Sequence, residues 1–145
     1  MKLTILNTRE LKPMYSLLKS QFGFDEKMEY AFLKTEKDKI YAVNKEVFEL
    51  DLKKLNVSSL GIYFGELRND ELRLSIEGSQ IIGPKATKGV VIVKDHKEWL
   101  QGHDIEYTGK EKGFVIIKSG SDYMGCGKVN NGNVLNFVGK VRRLN

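Results

Sequence analysis

One cysteine, two histidines and two prolines among 145 residues leave several common chemistries without material. Cys126, the single thiol, has no partner for an internal disulfide, and together with His96 and His103 it does not make up a Cys/His zinc site. Neither a metal nor another cofactor is expected. Long apolar runs are missing as well: no window approaches the roughly 18 residues of a membrane helix. The first twenty residues carry Arg9, Glu10, Lys12 and Lys19 where a signal peptide would be apolar. These absences predict a soluble, cytoplasmic protein with no membrane partner.

What is present is the mixture of an ordinary folded chain, 41% hydrophobic and 30% charged, able to bury roughly two-thirds of its unfolded surface without staples. The net charge of +5 is unevenly placed. Residues 1–84 hold 13 basic and 13 acidic side chains, whereas 85–145 hold 11 and 6, and from Lys112 onward only Asp122 opposes six cations. Eleven of the 14 glycines lie between Gly78 and Gly139. Two modules of different character are the simplest reading, a small α/β domain over 1–84 and a second domain over 85–145.

Along the first module, Leu3 to Leu6 reads as a strand. Leu11, Met14, Tyr15, Leu18 and Phe22 share one helical face, and Gly23 stops that helix. Pro13 lacks an amide proton and belongs in a first turn, which predicts a helix start near Leu11. Tyr30 to Leu33 and Ile40 to Val43 flank a polar stretch as a hairpin, and a short helix capped by Asn44 is expected through Val47, Phe48 and Leu50. Leu60 to Leu67 reads as a buried strand, Asn69-Asp70 as a turn, Leu72 and Leu74 as resumed alternation, and Ser75 to Ile82 as a short helix closed by Gly83-Pro84.

The second module reads mostly as strands. Val90 to Val93 is β-branched throughout, as a buried strand would be, and Asp95 with Glu98 forms a capping pair for a short helix that carries Trp99 and Leu100 and stops at Gly102. Strands follow at about 105–107, 114–118, 123–129 and 134–138, the last two divided by Asn130-Asn131-Gly132, a hairpin turn. Short strands and many glycines predict a small closed or nearly closed β-barrel.

Catalytic constellations find little support. His96 and His103 flank the short helix as surface polar residues would, and Cys126 between two glycines reads as a small core residue. The run Gly120 to Lys128 imitates a phosphate loop and fails, because Asp122 stands at the first glycine position and Val129 at the hydroxyl position. Gly61 to Gly65 lacks the third glycine of a dinucleotide fingerprint and lies within a strand. No enzyme activity is expected. The feature that asks for a partner is the basic end: strict alternation places Lys140 and Arg142 on one strand face, with Lys128 on a neighbouring strand. Such a face either attracts a phosphate backbone or serves only as a solvated, solubilising surface.

The stretch from Gly89 through Val-Val-Ile-Val-Lys-Asp-His-Lys-Glu-Trp-Leu-Gln to Gly102, followed by Tyr123-Met-Gly-Cys-Gly-Lys-Val129, resembles the PUA domain, the RNA-binding module named for pseudouridine synthase and archaeosine transglycosylase. The resemblance covers about residues 85–145. Ser59 to Leu67, Leu72 to Ser75 and the following helix resemble the junction of Nip7-like ribosome-biogenesis proteins, in which a small α/β domain precedes a PUA domain. The closing Leu135 to Leu144 is similar to the PUA domain attached to NOL1/NOP2/Sun RNA cytosine methyltransferases, although these 145 residues hold no room for their catalytic domain and none of its cysteine motifs.

The resemblance implies an α+β protein, a small N-terminal α/β domain followed by a C-terminal PUA pseudo-β-barrel. It implies a non-catalytic RNA-binding function on structured rRNA or tRNA, in ribosome biogenesis or RNA modification, with assembly factors or an RNA methyltransferase as protein partners. Two alternatives stand beside it, a specificity subunit acting in trans with a Sun-type methyltransferase and a protein-interaction module. Carried over by position, the RNA-binding residues are Lys94, Lys97, Gly102, His103, Lys128, Lys140, Arg142 and Arg143. Gly102 first ends the helix, and a side chain there would also obstruct RNA.

Overall fold

The computed structural model describes residues 3–45 and 61–143, with the side chain of Val141 excepted. Strand β1 (Leu3–Ile5) leads into helix α1 (Thr8–Phe22), which is followed by β2 (Tyr30–Thr35), β3 (Lys39–Asn44), β4 (Ile62–Arg68), β5 (Glu71–Leu74) and helix α2 (Ile76–Ile82). A 3-10 turn at Gly83–Lys85 then enters β6 (Val90–Ile92), α3 (His96–Leu100), β7 (Ile105–Glu106), β8 (Gly113–Ser119), β9 (Asp122–Asn130) and β10 (Asn133–Asn136). A last 3-10 turn spans Lys140–Arg142. The first sheet is an antiparallel meander in the order β1-β2-β3-β4-β5, and the second has the order β6-β8-β9-β10-β7 with a parallel β6–β8 pair. The protein is α+β, and its second sheet curls into a half-barrel whose edges are β6 and β7.

Local chemistry explains most of the first half. Helix α1 starts at Thr8 rather than near Leu11, because Asn7 and Glu10 form a reciprocal capping box; Pro13 is then accommodated inside the helix. Gly23, at φ +64, closes it in the left-handed conformation. The buried face of α1 (Met14, Leu18 and Phe22) packs on the meander, where Phe32 and Phe64 meet edge to face at 5.4 Å. Gln21 covers the free edge of β5: its side-chain amide donates to the Leu72 carbonyl and accepts from the Leu72 N–H, both at 2.8 Å. The helix expected after Asn44, and Leu60 at the start of the next strand, fall outside the described residues.

Strand β8 is buried on both faces and serves two cores. Ile116 lies with Cys126 among Phe22, Phe64, Leu74 and Ile82 of the first half, while Val115 and Ile117 join Val91, Trp99, Met124 and Val134. The buried apolar cluster therefore runs across residue 84. On β9, Met124 and Cys126 share a parity yet face different cores. The ladder explains this, because Ile116 pairs with Cys126 but Lys118 with Tyr123, so β9 carries one extra residue there, at the bulge formed by Gly125 with φ +92. Ser79 of α2, fully buried, accepts the Gly125 N–H at 2.8 Å and donates to the Ile76 carbonyl. Helix α2 is thereby fastened to the second sheet.

Three further expectations are corrected. Val90 to Val93 is not buried throughout: Ile92 is 75% exposed, since β6 is an edge with one face open. Asp95 caps α3 by accepting the Lys97 N–H at 2.9 Å, so the bond it makes is to the second helical residue and not to Glu98. The last strand ends at Asn136, and Lys140–Arg142 turns as a 3-10 helix. With about three residues per turn, Lys140 and Arg142 point in different directions, and the shared strand face does not exist.

Candidate nucleic-acid interface

Helix α3 is short, and tertiary anchors hold it. The Trp99 indole is fully buried, and its Nε1 donates to the Met124 carbonyl at 2.9 Å. Gly127 makes the room: a Cβ there would stand 2.7 Å from the Trp99 ring. At the carbonyl end, the Gly102 N–H returns to the Trp99 carbonyl and the His103 N–H to the Glu98 carbonyl. Asn136 then clips this end to the chain leaving β10. Its Nδ2 donates to the carbonyls of Trp99 (2.7 Å) and His103 (2.9 Å), its Oδ1 accepts the Val138 N–H, and its own N–H donates to Asp104.

The sequence reading passed over Asn136. Its only signal is a polar residue at the last position of a strand, where side-chain amides satisfy turning backbone.

Against this end lies Arg143. Its Nε donates to the Val138 carbonyl at 3.0 Å, and its guanidinium occupies the space that a Gly102 side chain would take. Gly102, at φ +91, is thus required twice, once by its backbone and once by the arginine above it. A cation at the carbonyl end of a helix is also the favourable sign. Lys94, Lys97, His96 and His103 are exposed around the same helix. So are Asp95, Glu98, Asp104 and Glu106, and the surface near α3 is of mixed charge rather than uniformly basic.

The other expected residues are placed elsewhere. Lys128 on β9 faces the first sheet, 3.7 Å from Glu71 and 5.1 Å from the centre of the Phe114 ring. The stack continues from Phe114 to Phe137 at 6.0 Å, and to the Arg73 guanidinium 4.8 Å over Phe137. Arg73 in turn donates to Glu66 at 2.9 Å. Arg142 is paired with Glu77 of α2. The eight residues therefore separate into a group at α3, comprising Lys94, Lys97, Gly102, His103 and Arg143, and a pair at the seam between sheets, Lys128 and Arg142. Lys140 is exposed on the turn between the two places.

Two groups speak to chemistry. Burial pushes the Cys126 thiol up to about 12, so it is protonated at neutral pH and is no thiolate nucleophile. Burial first, and the neighbouring Glu66 carboxylate second, raise the Tyr63 phenol above its ordinary value, leaving it a neutral hydroxyl at the seam. Among the described residues no group of three or more metal-ligating side chains comes together.

Residues 94–144 match the family model described as the methyltransferase RsmF PUA domain, a segment that runs from the start of α3 past the final 3-10 turn. No curated protein matches the chain. The match contains all eight residues placed above, together with Trp99 and Asn136. Residues 94–144 are therefore similar to a PUA domain of the kind linked to Sun-type RNA methyltransferases, and a domain of this kind implies RNA binding.

Proposed function

We propose that this chain is a non-catalytic RNA-binding protein that recognises structured rRNA or tRNA, acting in the cytoplasm in ribosome assembly or RNA modification. The observation that carries the reading is the matched PUA segment, in which Asn136 and Gly102 hold the α3 end, Arg143 and the tail as one surface. RNA would dock there through Lys94, Lys97, His103, Lys140 and Arg143. Because four carboxylates stand among these cations, binding by charge alone is weak, and fit to the shape of a folded RNA supplies selectivity. Residues 85–145 carry the RNA in this reading, and the electrically neutral first half makes protein contacts, with assembly factors as its partners.

The type of PUA domain matched favours one second reading: a specificity subunit that brings RNA to a Sun-type cytosine methyltransferase in trans. One set of assays separates the two. The purified chain is expected to bind a structured RNA and to transfer no methyl group from S-adenosylmethionine. Capture of a methyltransferase that lacks its own PUA domain, with faster methylation of the shared RNA, supports the second reading, and failure of both supports the assembly role. Methyl transfer by the chain alone overturns the non-catalytic reading.

A further inference from the structure

A cleft of about 310 Å³ opens at the seam, where β3 to β5 and the start of α2 meet the chain that leaves β10. Tyr63 and Phe137 stand in its walls, and Phe137 is 38% exposed although its ring is large and apolar. Lys39 lies 6.0 Å from the centre of the Tyr63 ring, Arg73 stacks on Phe137, and Arg142 closes the rim. The volume is at the lower limit of the roughly 300–1,000 Å³ of small-ligand sites, enough for one nucleotide and far too little for a duplex.

Aromatic rings and guanidinium planes are the surfaces on which unpaired RNA bases stack. A pocket for a bare anion would exclude carboxylates, yet Glu66 and Glu77 line this one. Each already accepts from an arginine, Glu66 from Arg73 and Glu77 from Arg142, and the lone pairs left on a carboxylate are acceptors suited to the N–H edge of a base.

We propose that this cleft takes a single unpaired nucleotide of the bound RNA, its base against Tyr63, Phe137 and Arg73 and its phosphate on Lys39, beside the Arg142–Glu77 pair. The proposal rests on the RNA-binding reading. Arg142 and Arg143 are consecutive, one turned into the cleft and the other onto Gly102, so a strand leaving the α3 surface reaches the cleft by crossing the tail alone.

The test compares a blunt RNA hairpin with the same hairpin carrying a short single-stranded extension, each titrated by fluorescence anisotropy against the whole chain. The extension is expected to tighten binding about tenfold, the scale of one stacked base. Phe137→Leu, and separately Lys39→Ala at an exposed side chain, are expected to remove that gain while leaving affinity for the blunt hairpin in place. A photoactivatable uridine in the extension is expected to crosslink to peptides holding Tyr63 or Phe137. An extension that adds nothing, or a gain that survives both variants, overturns the cleft proposal alone. If wild type binds neither RNA, the RNA-binding reading falls with it.

Discussion

Gly102 joins backbone geometry to recognition. Its positive φ would cost an alanine about 1 kcal/mol or more, and the added Cβ would displace the Arg143 guanidinium. Gly102→Ala is expected to lower thermal stability modestly and to weaken RNA binding. In a double-mutant cycle with Arg143→Ala the two losses in affinity should not add, because both remove the same seated guanidinium. Additive losses would mean that Gly102 serves the backbone alone. The helix-ending role of this glycine was legible in the sequence, since glycine after an apolar helical face is a stop signal. The arginine above it was not, because 41 residues separate two groups that only the curl of the second sheet brings together.

Elements held by local signals were the readable ones. The β2–β3 hairpin, the Asn69-Asp70 turn and the Asn130-Asn131-Gly132 turn all stand where turn chemistry places them, with Asn69, Asp70, Asn131 and Gly132 at positive φ. The start of α1 was misread because Pro13 was weighed above the Asn7/Glu10 box, although both signals lie in the sequence. The tail was misread for a different reason. Its residues alternate as a strand would, but at Asn136 the side chain ties the chain to the end of α3, and a 3-10 turn at Lys140–Arg142 follows in place of a ladder.

That makes Asn136 the joint between helix and tail. Asn136→Ala removes three hydrogen bonds to backbone groups, those to Trp99 and Val138 part-buried and that to His103 exposed, a loss on the order of 1–3 kcal/mol. A fall in melting temperature together with weaker RNA binding is expected. A stable variant with normal binding would show that α3 and the tail need no clip.

At the scale of the molecule, the charge partition along the chain does not become a partition in space. Lys128 is drawn to Glu71 and Arg142 to Glu77, so two of the cations counted in the basic end are neutralised across the seam by the first half. Composition cannot show this, because pairing depends on which sheet edges face each other. The shared core acts in the same direction: Ile116 and Cys126 are covered by Phe22, Leu74 and Ile82. The whole chain is expected to unfold in one cooperative thermal transition, and residues 85–145 alone to expose apolar surface and bind a hydrophobic dye. Two separate transitions would show that the halves are energetically independent despite the common cluster.

The affinity of the whole chain for a structured RNA, followed as salt is raised, tests the RNA-binding surface most directly. Wild-type affinity is expected to fall linearly on a double-logarithmic scale, with a slope of about −0.9 for each duplex phosphate neutralised. Reversing Lys94, Lys97, Lys140 and Arg143 to glutamate should weaken binding and flatten that slope, whereas reversing Lys128, turned toward Glu71, should change it little. An affinity indifferent to salt, or untouched by the fourfold reversal, would contradict the α3 and tail surface as the place where RNA binds.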